Sequence, residues 1–210
     1  AARLFPDKSA IVFEGTHLTY EALNARVNRL ASTLASEGIA KGDRVALYLP
    51  NIPAFVISYL ATVRVGAIAV SVNAMLKAEE LKYILNDAGA VLMFTTEELL
   101  QNVNRDHYPQ LGRILVCEGR GAGHTTLDDW LDAGQETFNG TDMDPQDPAV
   151  LLYTSGTTGF PKGATLTHGN VVSNIWTTVH HAGFSADDRM ILFLPLFHVF
   201  GQNFIMNATF

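Results

Sequence analysis

Short apolar runs alternate with helix-patterned stretches along most of this chain, and that alternation constrains its fold more than any other feature. The runs at 44–49, 67–72, 91–95 and 113–117 are almost continuously apolar, as strands buried on both faces are. Between them, Leu23, Val27, Leu30 and Leu34 fall on one helical face, and Leu81, Ile84 and Leu85 on another. Strand, helix and strand in repetition predict an α/β fold of mainly parallel sheets flanked by helices.

Local signals place the boundaries. Residues 10–13 and 17–19 flank Glu14-Gly15 and predict a small hairpin. Thr19 is placed to cap the first helix, with Glu21 in its first turn where the dipole favours an anion, and Gly38 closes it. Pro50 and Pro53 open a second helix that ends near Gly66, and Gly89 stops a third. Residues 133–148, with Gly134, Gly140, Pro145 and Pro148 among polar neighbours, predict a linker. It would join a first α/β lobe, 1–132, to the start of a second, 149–210.

Composition removes several classes of function. Hydrophobic residues make up 48% of the chain and charged residues 17%, so a packed core is expected rather than disorder. A formal charge of −7 without a basic patch argues against a nucleic-acid partner. No run reaches the roughly 18 apolar residues of a membrane span, since Ser58, Arg64 and Gly66 interrupt the longest. Arg3, Asp7 and Lys8 precede any hydrophobic region, which argues against a signal peptide. The single cysteine, Cys117, excludes an internal disulfide, suits a reducing, cytoplasmic setting, and reads as a core residue within RILVCE.

Chemistry concentrates in residues 151–169, LLYTSGTTGFPKGATLTHG. An apolar strand leads into a segment with hydroxyls at Thr154, Ser155, Thr157, Thr158, Thr165 and Thr167. Glycines at 156, 159, 163 and 169 punctuate it, and Lys162 stands between Pro161 and Gly163. Small, hydroxyl-rich chain offers N–H and O–H donors in one concavity, which binds phosphate, and an ammonium adds charge. The Walker A pattern fails, because it needs glycine before the lysine and Ser or Thr after it.

Two other motifs carry less. Gly119-Arg120-Gly121-Ala122-Gly123 is GxGxG rather than the dinucleotide GxGxxG, and reads as a surface loop. His180 and His181 would point about 100° apart on a helix, poorly placed to share a metal.

TSGTTGFPKG resembles the phosphate-loop signature of the adenylate-forming superfamily: acyl-CoA synthetases, luciferase-like enzymes and peptide-synthetase adenylation domains. LTYEALNARVNRLASTLASEGIAKGDRVALYLPN, the helix ending VGAIAVSVN, and AEELKYILNDAGA follow acyl-CoA synthetases in order and spacing. Ser71 stands where many members carry proline. LPLFHVFG, residues 194–201, is similar to a segment that follows the phosphate loop in that family.

The resemblance implies the amino-terminal portion of the large domain of adenylate-forming enzymes, with the carboxy-terminal domain absent. It implies an AMP-forming acid–CoA ligase using ATP, Mg²⁺ and coenzyme A, with small-molecule partners, and it allows a homodimer. Thr154, Ser155, Thr157 and Thr158 would supply hydroxyls, Gly156 and Gly159 N–H groups, and Lys162 charge beside the departing pyrophosphate; Thr154 is also the metal candidate. His198 would position the carboxylate, while Phe197 and Phe200 wall the acyl tunnel. Absent from these residues are the downstream aromatic-Gly-x-Thr-Glu motif, a ribose-binding aspartate and a carboxy-terminal lysine, so residues 1–210 alone are expected to be inactive.

Phe197, Phe200, Phe204 and Met206, with no basic residue at 199–210, could line an apolar slot. Each buried CH₂ of a ligand contributes about 0.8 kcal/mol, which favours a medium- or long-chain fatty acid. Aryl acids are the alternative, because flat rings also suit aromatic walls. A ligase with another acyl acceptor and a non-catalytic nucleotide-binding module share the loop and remain open.

Overall fold

The computed structural model describes residues 1–154 and 160–210. It begins with an antiparallel hairpin, β1 (Ser9–Phe13) and β2 (Thr16–Thr19), whose tip residues Glu14 and Gly15 both take positive φ. That left-handed pair matches the strands' own twist. The hairpin feeds α1 (Tyr20–Ser36), where the Thr19 hydroxyl accepts the Ala22 N–H and so caps the first turn.

The alternation predicted from the apolar runs follows. It comprises β3 (Arg44–Tyr48), α2 (Pro53–Arg64), β4 (Ile68–Val72), α3 (Ala78–Ala88), β5 (Leu92–Thr95), β6 (Arg113–Val116), β7 (Thr125–Thr126) and α4 (Leu127–Ala133). Then come β8 (Pro148–Thr154), β9 (Lys162–Thr167), α5 (His168–Ala182) and a π-helix, Phe200–Asn207. Strands β3 to β9 form one sheet in the order β7-β6-β5-β3-β4-β8-β9, parallel throughout except for β9.

Both faces of the sheet are covered, which is why its central strands are continuously apolar. Alternate residues of β3 serve opposite cores. Val45 and Leu47 share one with Leu30 and Leu34 of α1, Phe55 of α2 and Trp130 of α4. Ala46 and Tyr48 share the other with Leu81, Ile84 and Leu85 of α3. The Thr33 hydroxyl, donating to the Trp130 carbonyl at 2.8 Å, ties α1 to α4.

The expected linker at 133–148 does not lead to a separate sheet. Its chain runs back over the first helices: the Thr141 N–H donates to the Arg64 carbonyl and the Thr141 hydroxyl to that of Val65. β8 then pairs in parallel with β4, Ala69 opposite Val150 and Ser71 opposite Leu152. Ala149, Val150 and Leu152 are buried there. The apolar run at 149–153 extends an existing sheet, lying between β4 and the edge strand β9. Among the described residues, no helix is long and apolar enough to cross a membrane.

Candidate nucleotide and acid site

The hydroxyl- and glycine-rich motif straddles the β8–β9 connection. Ser155, Gly156, Thr157, Thr158 and Gly159 lie outside the described residues. The ends of the motif are described, and the antiparallel register sets Thr154 directly opposite Lys162 and Tyr153 opposite Gly163. Thr154 and Lys162 are both exposed. A hydroxyl and an ammonium far apart on the motif therefore become neighbours across a strand pair.

Gly163 has a steric reason to be glycine. A Cβ there would come within 3.1 Å of Leu151 Cδ1 and 3.2 Å of Tyr153 Cζ. The Tyr153 ring thus lies across the glycine, a cross-strand arrangement that a larger residue would push aside. The Tyr153 hydroxyl donates to the Asp87 carboxylate at 2.6 Å. Burial, then that hydrogen bond and the charge of Asp87, push the Tyr153 phenol well above its ordinary range, so it stays protonated and donating.

The segment that carries His198 is anchored to the same edge of the sheet. Asn51, just beyond β3, uses both ends of its amide: Nδ2 donates to the Leu194 carbonyl and Oδ1 accepts the Leu196 N–H, each at 2.8 Å. The Gln202 amide donates to the Ser71 hydroxyl at 2.6 Å in the buried space above β4. Ser71 is registered with Leu152, two residues before Thr154 on the next strand. Since β3, β4 and β8 are parallel, both motifs gather at their carboxyl ends, the edge where open α/β sheets bind ligands.

His198 itself is exposed, and its Nδ1 accepts the Phe200 N–H at 3.2 Å. Phe197 is half-buried, and Phe200 stacks on Phe204 with ring centres 4.4 Å apart. Met206 does not belong with them. It is buried in the main core, because the π-helix turns it toward the sheet.

Other expectations resolve simply. His180 lies against Trp176, ring centres 4.0 Å apart, with its Nδ1 2.7 Å from the Trp176 carbonyl. Gly119, Gly121, Ala122 and Gly123 all take positive φ, as a turning loop requires. The Cys117 thiol is pushed up by burial, as suits a core residue. The crevice at the carboxyl ends of β3 and β5, where the chain connections diverge, is filled: Tyr48 donates to the Leu76 carbonyl and accepts from Asn102.

The supporting roles of Asn51, Ser71, Gln202 and Asp87 escaped the sequence reading. Gln202 and Asn203 carried the one usable signal, since polar side chains within an otherwise apolar helix are buried with partners. Asn203 donates to Asn174 of α5 at 2.7 Å. Ser71→Ala should strand the buried Gln202 amide and cost about 1–3 kcal/mol, whereas pairing it with Gln202→Leu should restore most of that loss. Urea unfolding of the wild type, the two single variants and the double variant checks this; additive losses would show that the pair does not interact.

The family model of the AMP-binding enzymes matches residues 1–210. A feruloyl-CoA synthase from Amycolatopsis sp is 36% identical over 197 residues, covering 94% of this chain and 38% of that protein. A long-chain-fatty-acid–CoA ligase from Bacillus subtilis is 32% identical over 242 residues, covering 100% and 43%. The solved structure of the anthranilate CoA ligase AuaEII in complex with anthranoyl-AMP superposes with a TM-score of 0.93 at 28% identity, covering 98% of this chain and 40% of that one. The chain thus spans about 40% of the length of the relatives it matches.

Proposed function

The chain belongs to the AMP-binding enzyme family, and from that premise we propose that its full-length protein joins a carboxylic acid to AMP at the expense of ATP and then passes the acyl group to coenzyme A. The observation that carries this reading is the cross-strand pairing of Thr154 with Lys162 at the carboxyl edge of the parallel strands. An acid oxygen attacks the α-phosphorus, the bond to the bridging oxygen breaks, and pyrophosphate leaves with the electron pair. Lys162 offers positive charge to that leaving group, and Thr154 a hydroxyl. Such a step depends on positioning and electrostatics more than on proton transfer.

A magnesium ion fits these donors. Among the described residues no cluster of three His, Cys, Asp or Glu side chains could hold a metal, and Thr154 offers one hard oxygen. Mg²⁺ is commonly held by few protein oxygens together with substrate phosphates, whose charge it neutralises.

The acid we propose is apolar, a medium- or long-chain fatty acid, received by Phe197 and Phe200 with His198 orienting its carboxylate. The stacked Phe200–Phe204 pair favours an aryl acid as the second reading, and the likeness to a feruloyl-CoA synthase and an anthranilate CoA ligase supports it. CoA-thioester formation by the full-length protein should be compared for acetate, malonate, benzoate, octanoate and palmitate. Rates rising with chain length support the first reading and benzoate ahead of octanoate the second; malonate ahead of all would contradict both.

A further inference from the structure

Helix α3 touches both roots of the β8–β9 connection. Tyr83 and Asp87 are four residues apart, so they sit one turn above another on the same face. Asp87 takes the hydrogen bond from Tyr153, the residue before Thr154. Tyr83 meets Phe160 on the returning side, ring centres 5.3 Å apart and planes 33° apart. Phe160 remains 66% exposed, so this ring contact is what gives an apolar surface residue a fixed place. On its opposite face α3 buries Leu81, Ile84, Leu85 and Ala88 in the core, which makes it a firm support.

We propose that Tyr83 and Asp87 are positioning residues for nucleotide binding: they hold Tyr153 and Phe160 on α3 and thereby keep Thr154 and Lys162 opposite one another. The inference rests on the reading of Thr154 and Lys162 as phosphate-binding residues. Both act indirectly, through Tyr153 and Phe160. Asp87 acts through the Tyr153 hydroxyl, whose ring also lies over Gly163, next to Lys162. Tyr83 acts through Phe160, two residues before Lys162. Losing either contact frees one end of the pairing, and losing both frees the two ends.

The test uses the full-length protein as wild type, Tyr83→Phe, Tyr83→Leu, Asp87→Ala and the Tyr83→Leu/Asp87→Ala double variant. Amide hydrogen exchange of residues 153–154 and 160–163 without nucleotide reads the anchoring, and steady-state kinetics reads its consequence. Tyr83→Leu and Asp87→Ala should each speed exchange about tenfold at those residues alone, as a local opening does. They should raise the KM for ATP by a similar factor, Asp87→Ala through the lost hydrogen bond to a charged group and Tyr83→Leu through the lost ring contact, with the KM for the acid unchanged. Tyr83→Phe keeps the ring and should behave as wild type.

Unchanged exchange and ATP KM in both variants would overturn the proposal. So would equal acceleration in α1, which would mark a general loss of stability. Wild-type exchange at 153–154 and 160–163 that Mg·ATP does not slow would overturn the nucleotide reading and the positioning role with it. Unaltered variant exchange alongside intact ATP protection would overturn the positioning role alone.

Discussion

Lys162→Ala in the full-length protein should slow acyl-adenylate formation by tenfold to more than a hundredfold. Lys162 begins β9 opposite Thr154, and it is exposed where the motif opens. Removing an ammonium that donates to a phosphate oxygen costs about 1.5–3 kcal/mol, the range for hydrogen bonds to charged groups. Expressed in the transition state, that is the rate loss stated. The fold should not suffer, because β9 is an edge strand and the Lys162 side chain supports no core residue. Adenylate formation at saturating and at low ATP separates the roles: a loss confined to low ATP marks ground-state binding, and a loss at both marks the chemical step. Equal rates in mutant and wild type under both conditions would remove Lys162 from the site.

Gly201→Ala should damage both stability and activity, despite exchanging glycine for the best helix former. A Cβ at Gly201 would run into the Pro195 carbonyl oxygen and lie 2.9 Å from that of Leu194. Both obstacles are backbone, so the turn carrying His198 must open. Helix propensity returns about 0.5–1 kcal/mol. Overpacking of this kind costs about 1–3 kcal/mol and sets the sign. In a domain of 150–250 residues each kcal/mol lowers Tm by about 2–4 °C. The affected turn is held by Asn51 at Leu194 and Leu196, and by the His198 N–H donating to Pro195. Displacing it moves His198 from where an acid would be met, so thioester formation should fall more than tenfold. A Gly201→Ala protein with wild-type Tm and rate would show that this turn has room that the geometry denies it.

The order of strands and helices was legible because each apolar run is short and each helix carries its own stop. Gly38, Gly66 and Gly89 take positive φ at the ends of α1, α2 and α3, where only glycine turns the chain without strain. Sheet membership was not legible. Gly140, Pro145 and Pro148 mark a break in secondary structure, yet they say nothing of which edge the next strand joins, and β8 joined β4. At the site, the motif residues announced themselves by composition, whereas their supports did not. Asp87 and Tyr83 look like ordinary helix-surface residues until β8 and β9 are laid beside α3. Ser71 reads as a small departure at a position often held by proline. Its hydroxyl instead accepts the Gln202 amide in a buried contact, one that a proline could not make.

Acid-dependent exchange of labelled pyrophosphate into ATP by the full-length protein, without coenzyme A, measures the proposed first step by itself. Wild type should exchange label with octanoate or benzoate present and not without acid, and Lys162→Ala should exchange at least tenfold more slowly. Exchange that is absent with every acid tried, or unchanged by Lys162→Ala, would contradict the assignment of residues 153–163 and Lys162 to ATP.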